Sequence, residues 1–228
     1  VIGLTVAELN SITAGTLRLG TVGGSNTGNI VISTMFTPSN FNTLALRTGG
    51  SVTEGSGSSV TVANLGISAG ANVTLAGQNT VTNLAITSSG TTPTVSFTAA
   101  TGSSYTPGTV DSITANFGIA TSYTVTNPPT SGYLNTAFSP APVVTIKDVY
   151  NNVISTQNSI SNTVVASTAT SGFTLGGTTS ITQTGGTVTF NNLKVTSGTG
   201  TLVVNFSNAA ITQQQSIDSG NVTIQAGD

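Results

Sequence analysis

Ten charged side chains are spread over 228 residues, and histidine and cysteine are absent, so the chemistry open to this chain can be weighed residue by residue. "KDVYNN" at 147–152 groups Asp148, Asn151 and Asn152, an oxygen set that could ligate calcium. The same residue types also make the local bonds of a tight turn between two strands, which is the simpler reading. Cleavage of a polysaccharide needs paired carboxylates, or a carboxylate with a base or metal. Glu8 and Glu54 are the only carboxylates before Asp111 and stand far apart. Ser-His-Asp and Cys-His nucleophiles, and zinc sites of the usual nitrogen and sulfur kind, are excluded by composition. Lys147 and Lys194 could condense with an asparagine, but Leu193 and Val195 flank Lys194, so alternation turns it outward. No catalytic, cofactor-binding or metal residue is therefore assigned, no cofactor is expected, and the expectation is a protein that is not an enzyme.

Elements that could position any such residue must be built without charge. Only 4% of residues are charged against roughly 25% in an average soluble domain. Thr, Ser and Asn must solvate the surface, and Thr and Val suit a pleated, half-buried surface better than a helix. The chain reads as all-β. Net charge is −2 with no basic run, so a nucleic-acid partner is not expected. No apolar run approaches the roughly 20 residues of a membrane-spanning helix, so no membrane insertion is expected in this segment. The first residues, "VIGLTVAELN", open in mid-pattern, as a piece of a longer chain would.

One small phrase recurs. "AGTLRLG" at 14–20, "FNTLALRTGG" at 41–50, "VANLGISAGA" at 62–71 and "VTNLAITSSG" at 81–90 pair Leu17 with Leu19, Leu44 with Leu46, Leu65 with Ile67 and Leu84 with Ile86. A second series pairs Ile30 with Ile32, has Val52 alone, then pairs Val73 with Leu75 and Val95 with Phe97. A third and weaker one has Val60 with Val62, then Val81. The i, i+2 spacing puts each pair on one strand face, and three short strands per ~20 residues predict a solenoid with each strand stacked on its counterpart one coil away. An antiparallel sandwich would also alternate but would need no common period. Met35 to Phe41 are expected to loop out between strands, which would absorb the longer first step. Glu54, in register with Ile32, Leu75 and Phe97, is expected to end its strand early and turn its carboxylate to water, because burying it unpaired is costly.

After "TAATGSSYTPGTVDS" the period vanishes. Seven strand-like segments follow, at 121–127, 142–147, 162–168, 178–183, 186–192, 200–207 and 220–226, with Leu202, Val204 and Phe206 sharing a face. Seven short strands in this length predict an immunoglobulin-like sandwich. "DSITANFGI" at 111–119 aligns with "GNVTIQAGD" at 220–228, placing Gly118 over Gly227, as if one module ended near 118 and the next near 227. The expected domains are 1–111, solenoid repeats and junction, and 112–228, a sandwich.

"GLTVAELNSITAGTLRLG", "FNTLALRTGGSVTEGSGSSVTVANLGISAGANVTL" and "TVTNLAITSSG" resemble the repeats of bacterial filamentous-haemagglutinin-type secreted proteins, over about residues 1–98. "NTAFSPAPVVTIKDVYNNVIS" with "GGTTSITQTGGTVTFNNLKVTSGTGTLVVNFS" is similar to the Ig-like modules of bacterial invasin- and intimin-type surface proteins, over about 119–228. Together the resemblances imply a right-handed parallel β-helix followed by a bacterial Ig-like β-sandwich. They further imply an extracellular location at the bacterial cell surface, in a shaft or filament mediating adhesion or assembly. Neighbouring modules of the same chain or other copies of itself are the expected partners.

Three other functions each require residues that can be looked for in the chain. A glycan-binding adhesin would use exposed aromatic faces for surface glycans, but only Tyr105, Tyr123, Tyr133 and Tyr150 and no tryptophan are present. A polysaccharide-active β-helix enzyme lacks its carboxylate pair. An ice-binding solenoid needs threonines at one place per coil, and the Thr-x-Thr triplets do not recur that way. The N-x-S/T triplets headed by Asn72, Asn205 and Asn221 are what chance supplies in a chain this rich in Ser and Thr.

Overall fold

The computed structural model describes residues 3–21, 27–211 and 222–226. Two compact units emerge: Val1–Ile119 with Gln157–Ser159, and Ala120–Thr156 with Ile160–Asp228. Gly227, on which the alignment of module ends depends, lies outside the described residues.

The first unit is a parallel β-solenoid of about four turns. Helix α1 (Val6–Asn10) carries a capping box in which Thr5 and Glu8 satisfy each other's backbone amides. Strands β1 (Thr16–Leu19), β2 (Ile30–Ile32) and β3 (Met35–Phe36) make the first coil, and β4 (Thr43–Thr48), β5 (Val52–Glu54) and β6 (Ser59–Val60) the second. β7 (Asn64–Ala69), β8 (Val73–Asn79), β9 (Asn83–Ser88), β10 (Val95–Ala99) and β11 (Thr106–Pro107) continue upward. Three parallel faces result: β1-β4-β7-β9-β11, β2-β5-β8-β10, and β3-β6 extended by a Thr61–Thr80 bridge.

The aliphatic phrase is the register of this stack. Leu17, Leu44, Leu65 and Leu84 lie side by side, as do Leu19, Leu46, Ile67 and Ile86. Ile30, Val52, Val73 and Val95 do the same on the second face. The glycine closing the phrase is required by the close approach of coils: a Cβ on Gly70 would lie 2.2 Å from the Gly49 carbonyl oxygen.

Two local expectations are corrected. Met35–Phe36 does not loop out but forms β3, paired in parallel with β6, because Phe36 supplies the third interior side chain of its coil and is buried. Residues 37–42 carry no strand and do lengthen the first step, but the larger part of the extra length falls between Leu19 and Ile30, a span that includes residues outside those described. Glu54 does end its strand as expected, but it does not turn its carboxylate to water: it pairs opposite Ile32, and its Oε2 accepts from the Gly77 amide at 2.7 Å and Asn79 Nδ2 at 3.2 Å. Those internal donors offset the cost of bringing the carboxylate in, although Oε1 is buried without a partner.

Beyond β11 the chain folds back as a hairpin, β12 (Thr109–Val110) and β13 (Ile113–Thr114), whose Val110 and Ile113 pack with Ala45 and Ala85. Small side chains on the outward row of the first face make room for it. Gly66 stands in register between Ala45 and Ala85, and a Cβ there would meet Ile113 Cδ1 and the Val110 oxygen at 3.1 Å.

The second unit is also all-β. Its strands are β14 (Ser122–Thr126), β15 (Ser131–Tyr133), β16 (Val143–Lys147), β17 (Ser161–Ser167), β18 (Thr174–Gly176), β19 (Ser180–Thr184), β20 (Thr187–Thr189), β21 (Lys194–Ser197), β22 (Gly200–Leu202), β23 (Asn205–Asn208) and β24 (Val222–Gln225). They form four small sheets, β14-β16-β20, β15-β24-β22, β19-β17-β23 and β18-β21. Pairing is antiparallel except between β15 and β24. One core joins them, built on Phe190, Phe206, Ile146, Leu193 and Leu202, with the Tyr123 hydroxyl donating to the Phe206 carbonyl at 2.5 Å. Leu202, Val204 and Phe206 are all buried as alternation requires, although Leu202 ends β22, Phe206 lies in β23 and Val204 falls in the break between them. β15, β18 and β21 were not among the seven segments.

Candidate functional site

Charged groups come together at one place in the solenoid unit. Asp111 and Ser112 are the two turn residues of the β12–β13 hairpin, with φ of 49° and 64°. Both central residues being left-handed defines the turn type whose twist matches the flanking strands, normally supplied by Asn-Gly. Here the strained pair is retained because the Asp111 carboxylate meets two arginines. Arg18 Nε donates to its two oxygens at 2.8 and 2.7 Å, and the Arg18 Nη2 completes a forked contact. Arg47 Nη2 donates to Asp111 Oδ2 at 3.3 Å and to the Asp111 carbonyl. Side chains of Asp111 and Arg47 are 6% and 8% exposed, whereas Arg18 is 63% exposed.

Bonding to Arg18, then to Arg47, holds the Asp111 carboxyl below the usual carboxylate range, and the same contact raises Arg18. The arrangement clasps the hairpin onto the outer face of the solenoid. It was missed because three residues far apart in the chain gave no local motif. One signal was available: Ala45, Gly66 and Ala85 stand where a solvated face would carry Thr or Asn.

Asp148, Asn151 and Asn152 do come together, as a turn. Asp148 is 2% exposed, and its Oδ1 accepts from the amides of Tyr150 at 2.9 Å and Asn152 at 3.0 Å. Asn151 adopts φ 66°, and its Oδ1 accepts from Lys147 Nζ at 3.1 Å. The Asp148 oxygens thus serve the turn's own donors. Among the described residues no group of three or more acidic, histidine or cysteine side chains could hold a metal ion. Lys194 is half-buried between buried Leu193 and Val195.

Other features of the solenoid surface are polar but uncharged. A groove of about 310 Å³ on the solenoid is lined by Thr37, Pro38, Phe41, Thr61, Val62 and Thr80. Thr61 and Thr80 are in register and Thr37 follows Phe36, so single threonines do recur at one place per coil on this face. Beside them, Asn83 Nδ2 donates to Asn64 Oδ1 at 2.7 Å, and Asn64 Nδ2 to Thr43 Oγ1 at 3.1 Å, an amide ladder between coils. Tyr105 and Tyr123 are interior and offer no face to a ligand, while Tyr133 is exposed. Asn72, from the first N-x-S/T triplet, binds the Thr94 amide at 2.9 Å.

These features define a parallel β-solenoid repeat protein carrying a second all-β unit. The chain matches no protein-family model, no curated protein and no solved structure. No helix among the described residues is long and apolar enough to cross a membrane.

Proposed function

We propose that this chain is a non-enzymatic structural segment of a large secreted bacterial surface protein. In this reading the solenoid is of the filamentous-haemagglutinin type, and the second unit is an Ig-like module of the invasin and intimin kind. Its work is mechanical: it extends, spaces and connects within a shaft or filament that mediates adhesion or assembly.

The observation that carries the reading is the unbroken parallel stack with its aliphatic interior. Strands spaced about 4.8 Å apart and hydrogen-bonded coil to coil make a stiff element that lengthens with each repeat. Support also comes from where the acidic groups of this unit are used: Glu8 in a helix cap, Glu54 in the interior and Asp111 in the clasp. Protease shaving of intact producing cells tests the location. Peptides of this chain should be released without lysis, and their appearance only after lysis would reject the proposal.

A further inference from the structure

The last coil of the solenoid is closed by residues that lie far along the chain from it. Gln157–Ser159 belong to the solenoid unit, whereas Thr156 before them and Ile160 after them belong to the second. β11 is the last strand of its face, and Asn158 bridges Tyr105, the residue before β11, in parallel as a further coil would. The Tyr105 amide donates to the Gln157 carbonyl and the Ser159 amide to the Tyr105 carbonyl, each at 2.9 Å.

Each of the three side chains is held as well. Gln157 Nε2 donates to the carbonyls of Ala100 at 3.0 Å and Ser103 at 3.2 Å, tying down the turn between β10 and β11. Asn158 is fully buried, and its Nδ2 donates to the Gly118 carbonyl at 2.6 Å. Gly118 adopts φ 73°, and a Cβ there would lie 3.1 Å from Asn158 Nδ2, so the glycine leaves the room that the amide fills. Ser159 Oγ shares a hydrogen bond of 2.7 Å with Thr106 Oγ1. In the same coil Phe97, Tyr105 and Phe117 pack with ring centroids 5.2 to 6.4 Å apart.

So few bonds do not by themselves keep three residues in order, because fixing a free segment costs conformational entropy. Here both flanks are fixed by the second unit. Ile154, just before the segment, is buried in that unit's core, and β17 begins at Ser161, just after it. Anchored on both sides, Gln157–Ser159 meets the last coil at the high effective concentration of an intramolecular partner.

We infer that Gln157–Ser159 is a latch through which the folded second unit holds the last coil of the solenoid shut. The inference goes beyond the structural reading above, because it assigns a dependence of one unit on the other. Unfolding the second unit, by denaturant or by tension, frees both anchors, withdraws the latch and bares the backbone edge at Tyr105. A bare strand edge pairs with other strands, and covering it with a loop is one way in which folded proteins prevent this. The coupling is reciprocal, since a latch held on the coil also favours the fold that presents it. Middle coils, which the latch does not touch, stay closed.

Hydrogen exchange on the whole chain tests the inference. Phe190 is fully buried in the core of the second unit, so Phe190→Asp should open that unit, with the β16 amides losing protection. The Tyr105 and Ser159 amides should then exchange at least about tenfold faster, while those of β7 in the middle of the solenoid keep their protection. Asn158→Ala acts from the other side: it removes the bond to Gly118 and leaves the β16 amides protected, and Tyr105 and Ser159 should again exchange faster. Unchanged protection of Tyr105 once β16 is open would overturn the inference, as would unchanged protection in Asn158→Ala. Loss of β7 protection in Phe190→Asp would overturn it too, since the dependence would then reach the solenoid as a whole. None of these results turns on where the protein resides, so the protease-shaving test of the structural reading can fail separately.

Discussion

The solenoid and the second unit use the same residues, Thr, Val, Ser, Gly and Asn, to different ends. In the solenoid each strand meets its own counterpart one coil away, so identical positions stack and the interior is a set of columns. In the second unit β17 lies between β19 and β23, and β15 finds β24 from far along the chain, so each pairing is used once. A fault in a column is therefore shared by its neighbours, whereas the second unit has a single core that averages over its strands.

The largest effect that should expose this difference comes from Leu65→Asp. Leu65 is fully buried between Leu44 and Leu84, so the charge has no partner and interrupts a column. A cost above about 4 kcal/mol and loss of the solenoid transition are expected. In a calorimetric melt the transition of the second unit should persist. Loss of both transitions together would show that the units do not fold independently.

Next in size is the clasp. Asp111→Ala leaves Arg47 nearly buried without its carboxylate and should cost about 3 kcal/mol, the lower range for breaking a buried pair. The contribution has a definite pH dependence. Because the folded-state pKa of Asp111 is lowered, its stabilisation is fully present above the unfolded value near 4 and is lost as pH falls through the lower folded value. Melting temperatures of the native chain and of Asp111→Asn should differ at neutral pH and converge in acid. A constant gap across that range would mean that the carboxylate charge is not what holds the hairpin.

How much of this could be read from the residues depended on repetition. The columns were legible because stacking writes the same aliphatic pair at the same corner, and Ile30, Val52, Val73 and Val95 declare the second face in the same way. β3 was not legible: its one interior residue, Phe36, stands in register with Val60 and looks nothing like it. In the second unit, β14 and β16 alternate clearly, but Ser131–Tyr133 has no alternation to detect and is held as a strand by β24. The clasp was illegible because its three members gain meaning only after the hairpin folds back. Asp148 was the reverse case, since a local turn is determined by adjacent residues.

Glu54 gives a smaller and more discriminating effect. On the column pattern alone, Glu54→Leu should stabilise the solenoid, because Ile32 and Leu75 occupy equivalent positions. The hydrogen bonds say otherwise. Glu54 Oε2 accepts from the Gly77 amide and Asn79 Nδ2, and removing it orphans the amide in a half-buried site. A net loss of about 1 kcal/mol is expected, the unmade bonds outweighing the added apolar burial. A gain in melting temperature would mean that the buried, unpartnered Oε1 dominates.

The smallest effect lies in the amide ladder, where the column principle extends from the interior to the surface. Asn64 sits beside Leu65 and points outward, which on alternation alone makes Asn64→Asp nearly silent. Its side chain is half-buried, however, and is both donor and acceptor. Nδ2 reaches Thr43 Oγ1 at 3.1 Å and the Asn42 carbonyl at 3.3 Å, while Oδ1 takes a hydrogen bond from Asn83. Aspartate keeps the acceptor and loses the donor, bringing a carboxylate oxygen against the Asn42 carbonyl. A cost of about 0.5 to 1 kcal/mol is expected, well below that of Leu65→Asp, and it should shrink as acid protonates the new carboxyl and restores a donor. Asn64→Ser, which retains a shorter donor, should fall between the two. Equal stability of all three proteins would confine the stacking principle to the interior and reduce the ladder to a surface coincidence.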